Sequence, residues 1–202
     1  MKKVSLLFAI ALFAAVSFVS CGKDDGGGGG GMTVSGTIAN AAGMDDFPLY
    51  GYYEDNFVAY ENGNNPVPDI STTVHNGAFS LILRTPPTNM LHLIFDNIEG
   101  GVQISDPNVL MTAIRLVAKG QEICSVVPND NPKTQQMMWT YVDNDVTITG
   151  NVDNEGMEYN YDIDLKKGWN KLFHIYSATS TIVTSNIPSN LVWMFSADIY
   201  NH

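Results

Sequence analysis

Cysteine is scarce in this chain. Only Cys21 and Cys124 occur in 202 residues, so a disulfide-stapled scaffold is excluded and the core must supply the stability. Basic residues are also few: 10 Lys and Arg stand against 21 Asp and Glu, for a net charge of −11. Nucleic-acid binding needs clustered Lys and Arg, so that class of partner is not expected. Anionic headgroups should repel the chain unless divalent cations intervene. The acidity itself reads as solubility and colloidal repulsion. The four histidines, His75, His92, His174 and His202, include no pair at zinc-ligand spacing with each other or with a cysteine. There is no Gly-x-Ser-x-Gly elbow, phosphate-cradling loop or His-Glu-x-x-His. No fixed-period repeat is present, which argues against a solenoid or propeller.

What the chain does have begins at its first residues. Lys2 and Lys3 precede an apolar run from Val4 to Val19, which is the export pattern. The run lies at the lower edge of what spans a bilayer as a helix, and a leader is the better reading. Phe18-Val19-Ser20-Cys21 resembles a bacterial lipobox, with Phe18 where that pattern usually has Leu. The resemblance implies cleavage before Cys21 and acylation of its thiol. Each buried methylene contributes about 0.8 kcal/mol, so several acyl chains make a lasting anchor. Lys23, Asp24 and Asp25 follow, and this trio resembles the export signal of Bacteroidota-type surface lipoproteins. It implies an outer-membrane location facing the exterior. A solvated linker is the plainer reading of the same trio.

Gly26 to Gly31 cannot pack and has maximal backbone freedom. With Gly22 to Asp25 it forms a tether with an end-to-end distance of about 17 Å. The expected organisation is a signal peptide over 1–20, a lipidated cysteine and glycine tether over 21–31, and one folded body over 32–202. The body has roughly 170 residues, enough for one sandwich with a sizeable core. Loss of the leader removes two lysines and no acid, so the mature chain is more acidic by two charges. With Cys21 acylated, Cys124 is left alone in the apolar stretch Ile123 to Val127, where a buried structural thiol is expected.

Period-2 alternation dominates the body. Met157, Tyr159, Tyr161, Ile163 and Leu165 take one face, and Glu158, Asn160, Asp162 and Asp164 take the other. This predicts a strand with one wet face. Phe79, Leu81 and Leu83, then Val146 and Ile148, then Leu191, Trp193 and Phe195 repeat the pattern. Further strands are expected over 33–38, 49–53, 57–60, 70–74, 91–95, 137–142, 169–176 and 181–184. Turn chemistry punctuates them at Asn62-Gly63, Asn76-Gly77, Glu99-Gly100-Gly101, Lys119-Gly120, Asp143-Asn144, Glu155-Gly156 and Lys167-Gly168. The fold expected is all-β: an antiparallel β-sandwich, immunoglobulin-like or transthyretin-like. Residues 105–120 fit a helix capped by Asp106 or a strand, and the neighbouring strands favour a strand. The Pro-rich stretch 128–136 is the best internal break, and the piece after it is small for an independent β domain. Residues 141–150 and 165–170 resemble segments of uncharacterised secreted β-rich proteins, a likeness that implies no activity.

Calcium chemistry is tempting but badly spaced. Asp143 and Asp145 lie a whole strand away from Asp153, Asn154 and Glu155, about 25 Å at ~3.3 Å per residue. Calcium oxygens must converge within about 2.5 Å of the ion. Asp162 and Asp164 form a stripe about 7 Å apart on a wet face. No cofactor or metal is expected, and no carboxylate pair is singled out for glycoside hydrolysis.

The richest binding chemistry lies between Leu49 and Asn62. Tyr50 and Tyr52 share one strand face, with Glu54, Asn56 and Tyr60 close behind. Tyrosine offers a flat apolar contact at low entropy cost, while amides and carboxylates meet hydroxyls. Gly51 would let a ligand or another backbone approach closely. The competing reading packs these rings into the core. Trp139, Trp169 and Trp193 read as core, with Trp169 partly exposed. The functional expectation is a non-catalytic surface module that binds a glycan or a cell-surface protein. The alternatives are a polysaccharide hydrolase and an accessory subunit of an outer-membrane uptake complex.

Overall fold

The structure, a computed structural model, describes residues 31–64, 66–94, 101–127 and 135–196. The leader, Cys21, the trio Lys23, Asp24 and Asp25, most of the tether, residues 128–134, Phe95, the Glu99-Gly100 step and His202 lie outside the described residues.

The chain forms the expected antiparallel β-sandwich. β1 (Met32–Thr37) pairs along its whole length with β4 (Ala78–Leu83) as a separate two-stranded sheet. The remaining strands form one large sheet. They are β2 (Phe47–Tyr53), β3 (Ile70–Val74), β5 (His92–Leu93), β6 (Gln103–Ile104), β7 (Leu110–Ala118), β8 (Gln121–Val126), β9 (Gln135–Val142), β10 (Val146–Asn154), β11 (Met157–Leu165), β12 (Gly168–Tyr176), β13 (Ser180–Thr184) and β14 (Val192–Phe195). The main path runs β3-β2-β7-β8-β9-β12-β13-β11-β10-β6. β11 and β13 are the parallel neighbours, and the other strand ladders are antiparallel.

The turn residues place the hairpins. Lys119 and Gly120 both take positive φ between β7 and β8, and Glu155 and Gly156 do so between β10 and β11. Such turns match the right-handed twist of the strands they join. Within 105–120 the regular element is a strand, over residues 110–118. Asp106 caps no helix; its side chain takes the Asn108 N–H at 3.0 Å in a local turn before β7. β7 then lies inside the sheet, pairing β2 and β5 on one side and β8 and β9 on the other.

A sheet this wide must curl, and its two faces enclose two apolar cores. In the first, β1 and β4 cover the sheet. Val34, Phe79, Leu81 and Leu83 meet Leu49, Ile114, Leu116, Met137, Trp139 and Phe173. In the second, the curled end closes on itself around Val142, Val146, Ile148, Ile163, Leu165, Leu172 and Val183. β9 and β12 feed both, because successive side chains point to opposite faces. β8 and β9, which flank residues 128–134, pair with each other at Ser125–Met137 and Val126–Gln136.

One expected strand is a helix. Residues 57–60 lie within α1 (Glu54–Glu61), which follows β2 directly. Phe57, Val58 and Tyr60 are strand formers by propensity, but tertiary contacts override so weak a preference.

Candidate functional site

α1 begins where β2 stops. Tyr53 keeps extended backbone angles as the N-cap, and Glu54 and Asp55 occupy the first turn, where the helix dipole favours acids. The cap comes from a distance. Asp69 accepts the Tyr53 N–H at 2.8 Å, and both its carboxylate oxygens accept from the Asn56 amide at 3.0 Å. The helix ends at Asn62, and Gly63 takes a φ of +76°, which glycine adopts without strain.

The helix lies on the face of β2 that carries Tyr50 and Tyr52, as the alternation required. It buries one of them. Tyr52 is 4% exposed, and its ring stacks on Tyr60 at 5.2 Å. This corrects the expectation of an open Tyr50–Tyr52 platform, since Tyr52 is held under α1 with Phe57 and Val117. Burial raises the Tyr52 phenol pKa, with Tyr60, Tyr50 and Asp69 adding to it. Tyr50 and Tyr60 are half-buried, Asn56 is half-buried against Asp69, and Glu54 is exposed. Tyr53 faces the first core and stacks on Trp169 at 6.3 Å. Burial and then Asp69 push its phenol up to about 12.

Asp69 is the residue sequence reasoning missed. Its partners lie 13 and 16 positions earlier, so no local spacing announces it. It also lines a cleft of about 480 Å³ between β3 and β4, which Arg84 lines as well. Trp169, which packs half-buried against the first core, donates its indole N–H to the Arg84 carbonyl at 3.0 Å.

A second aromatic row lies on the curled sheet. Tyr161 is opposite Val183, Val183 opposite His174, and His174 opposite Gln136. Tyr159, Thr181 and Tyr176 form the next row. Residues directly opposite share a face, so three tyrosines and His174 lie together, each half-buried. His174 stacks on Tyr176 at 5.9 Å. Burial, helped by the Arg115 charge, lowers its pKa to about 4. The alternation over 157–165 exposed this face in the sequence, but the partner strands that complete the row could not be read from it.

Arg115 pairs with Glu122 at 2.9 Å and sits 5.5 Å from the Phe57 ring centre. Cys124 is buried beside them and takes a hydrogen bond from the Gln136 amide at 3.4 Å. Burial, with Glu122 adding and Arg115 opposing, raises its thiol to about 12. A thiol in that state is not a nucleophile at neutral pH. Among the described residues, no three His, Cys, Asp or Glu side chains group to hold a metal ion. Nor is any helix among them long and apolar enough to cross a membrane.

No protein family, no curated protein and no solved structure matches this chain.

Proposed function

We propose that this chain is an outer-membrane surface lipoprotein, anchored through Cys21, whose β-sandwich binds a glycan or a cell-surface protein without catalysis. Lys23, Asp24 and Asp25 direct it to the exterior face, and Gly26 to Gly31 lets the body reorient above the headgroups. The observation that carries the binding role is the surface beside α1. Half-buried Tyr50 and Tyr60 pack against Tyr52 and Phe57, and α1 carries exposed Glu54 and the Asn56 side chain held by Asp69, so ring faces accompany an amide and a carboxylate. That combination suits sugar C–H faces and hydroxyls, or a polar protein surface.

Two experiments test it. Cys21→Ser should release the protein from the membrane fraction, and the native protein should carry an acylated N-terminal cysteine by mass spectrometry. A glycan array and a protein-binding screen should show retention that Tyr50→Ala with Tyr60→Ala removes. Retention by the double variant equal to the parent would reject the surface, and an unacylated cytosolic protein would reject the anchor.

A further inference from the structure

We propose that the cleft between β3 and β4 takes an extended peptide segment. The segment adds as a strand to the vacant edge of β3 and turns an acidic group toward Arg84. The site shares only Asp69 with the tyrosine surface and stands independently of it.

β3 and β4 leave one turn, Asn76-Gly77, and are joined by reciprocal backbone bonds between His75 and Ala78 at 2.8 and 2.9 Å. The Thr72 hydroxyl then donates to the Ser80 carbonyl at 2.8 Å. Beyond that point the strands belong to different sheets. β3 ladders with β2, and β4 ladders with β1. Each therefore has one edge filled and its other edge turned to the cleft. Backbone N–H and C=O groups are obligatory pairing groups, and a vacant edge is a template for another strand.

Edges not meant for pairing are usually guarded by lysine, proline, shortness or a cover. β6, at the other end of the large sheet, is two residues long. β3 reads Ile-Ser-Thr-Thr-Val, with four β-branched residues, no charge and no proline. It is ready to pair.

The cleft has the size and chemistry for a ligand. Its volume of about 480 Å³ lies within the ~300–1,000 Å³ typical of binding sites. Ile70 and Ile82 give apolar contacts for alternate side chains of a bound strand; Ile82 is 54% exposed. Among the described residues no aromatic ring lines it, so they offer a sugar no flat face there. Charge sets the polarity of the ligand. Both Asp69 oxygens are already engaged by Tyr53 and Asn56. The Arg84 guanidinium has no hydrogen bond or ion pair among the described residues, while Trp169 pins its backbone carbonyl. The uncommitted charge is thus a guanidinium, the group that matches a carboxylate bidentately.

The test pans a phage-displayed random heptapeptide library on the purified full chain and synthesises the peptides selected. They should be enriched in β-branched residues with an acidic residue near one end, and should shift the backbone amide resonances of residues 70–73 and 80–82. Methylating alternate peptide nitrogens should weaken binding at least about tenfold, because the ladder donors are lost. Arg84→Gln should weaken the acidic peptides about tenfold. Ser71→Pro, which removes a donor that β3 turns away from β2 and toward the cleft, should abolish binding; if that variant does not fold, the methylated peptides decide. A library that yields no binder, methylated peptides that bind as well as their parents, or an oligogalacturonate that shifts those amides when peptides do not, would overturn the proposal.

Discussion

The Asp69 carboxylate caps α1 from sixteen residues beyond its N-cap residue Tyr53, accepting the Tyr53 N–H at 2.8 Å. In a capping box, a side chain of the helix's own first turn accepts the N-cap N–H. Here the first-turn residue is Asn56, which cannot accept through its amide nitrogen and instead donates to the same carboxylate. The residue before β3 thereby fastens α1 to the sheet.

Asp69→Ala should therefore loosen α1. Loss of such a cap costs about 1–2 kcal/mol, or a fall in Tm of about 2–8 °C for a body of this size. Asp69→Asn keeps one acceptor and should lose less. Thermal unfolding of the three proteins checks this; identical curves would mean that α1 is held by packing alone.

His174 should make stability depend on pH. Its folded pKa, about 4, lies below the usual value of 6.5, chiefly through burial. Between those values the unfolded chain binds a proton that the folded chain does not, so stability falls as pH drops from 6.5 toward 4. The contribution is complete above that window and amounts to at most about 3 kcal/mol. Urea unfolding across the window should show the slope, and His174→Gln should flatten it.

Cys124 should be silent toward thiol reagents. With its pKa raised to about 12 and its side chain buried, labelling must wait for the fold to open. A disulfide reagent near pH 8 should react at least about a hundredfold faster in concentrated guanidinium than with the native protein. Rapid native labelling would contradict the packing of β8 against β14.

Gly36 should tolerate no side chain. A methyl there would run into the indole Nε1 and Cδ1 of Trp193 and lie 3.3 Å from the Phe79 ring. Those two rings meet edge to face at 5.2 Å between centres, joining β4 to β14. Gly36→Ala should cost about 1–3 kcal/mol through overpacking. Calorimetry would reveal it as a lowered Tm.

The sheet was legible where apolar and polar residues alternate strictly in the sequence. Val146 to Ile148 and Met157 to Leu165 could be assigned because one face is apolar and the other wet. β7 was harder, because most of both its faces is buried and its burial follows no clean period. α1 was misread because its local sequence favours a strand and the group that caps it enters from another part of the chain. The tyrosine region was found by composition, but whether a ring such as Tyr52 lies open depended on that helix. The β3–β4 cleft left no trace in the sequence, since it arises where one hairpin divides between two sheets.

β7 gives Ile114, Leu116 and Ala118 to the first core, and its Met111 packs against the second. It also ladders with β9 through residues 111–114 and with β8 through residues 116–118. A wall common to both chambers cannot be taken down for one alone. Heat should thus be absorbed in a single peak whose calorimetric and van't Hoff enthalpies agree, and a proteolytic nick in either half should doom the other.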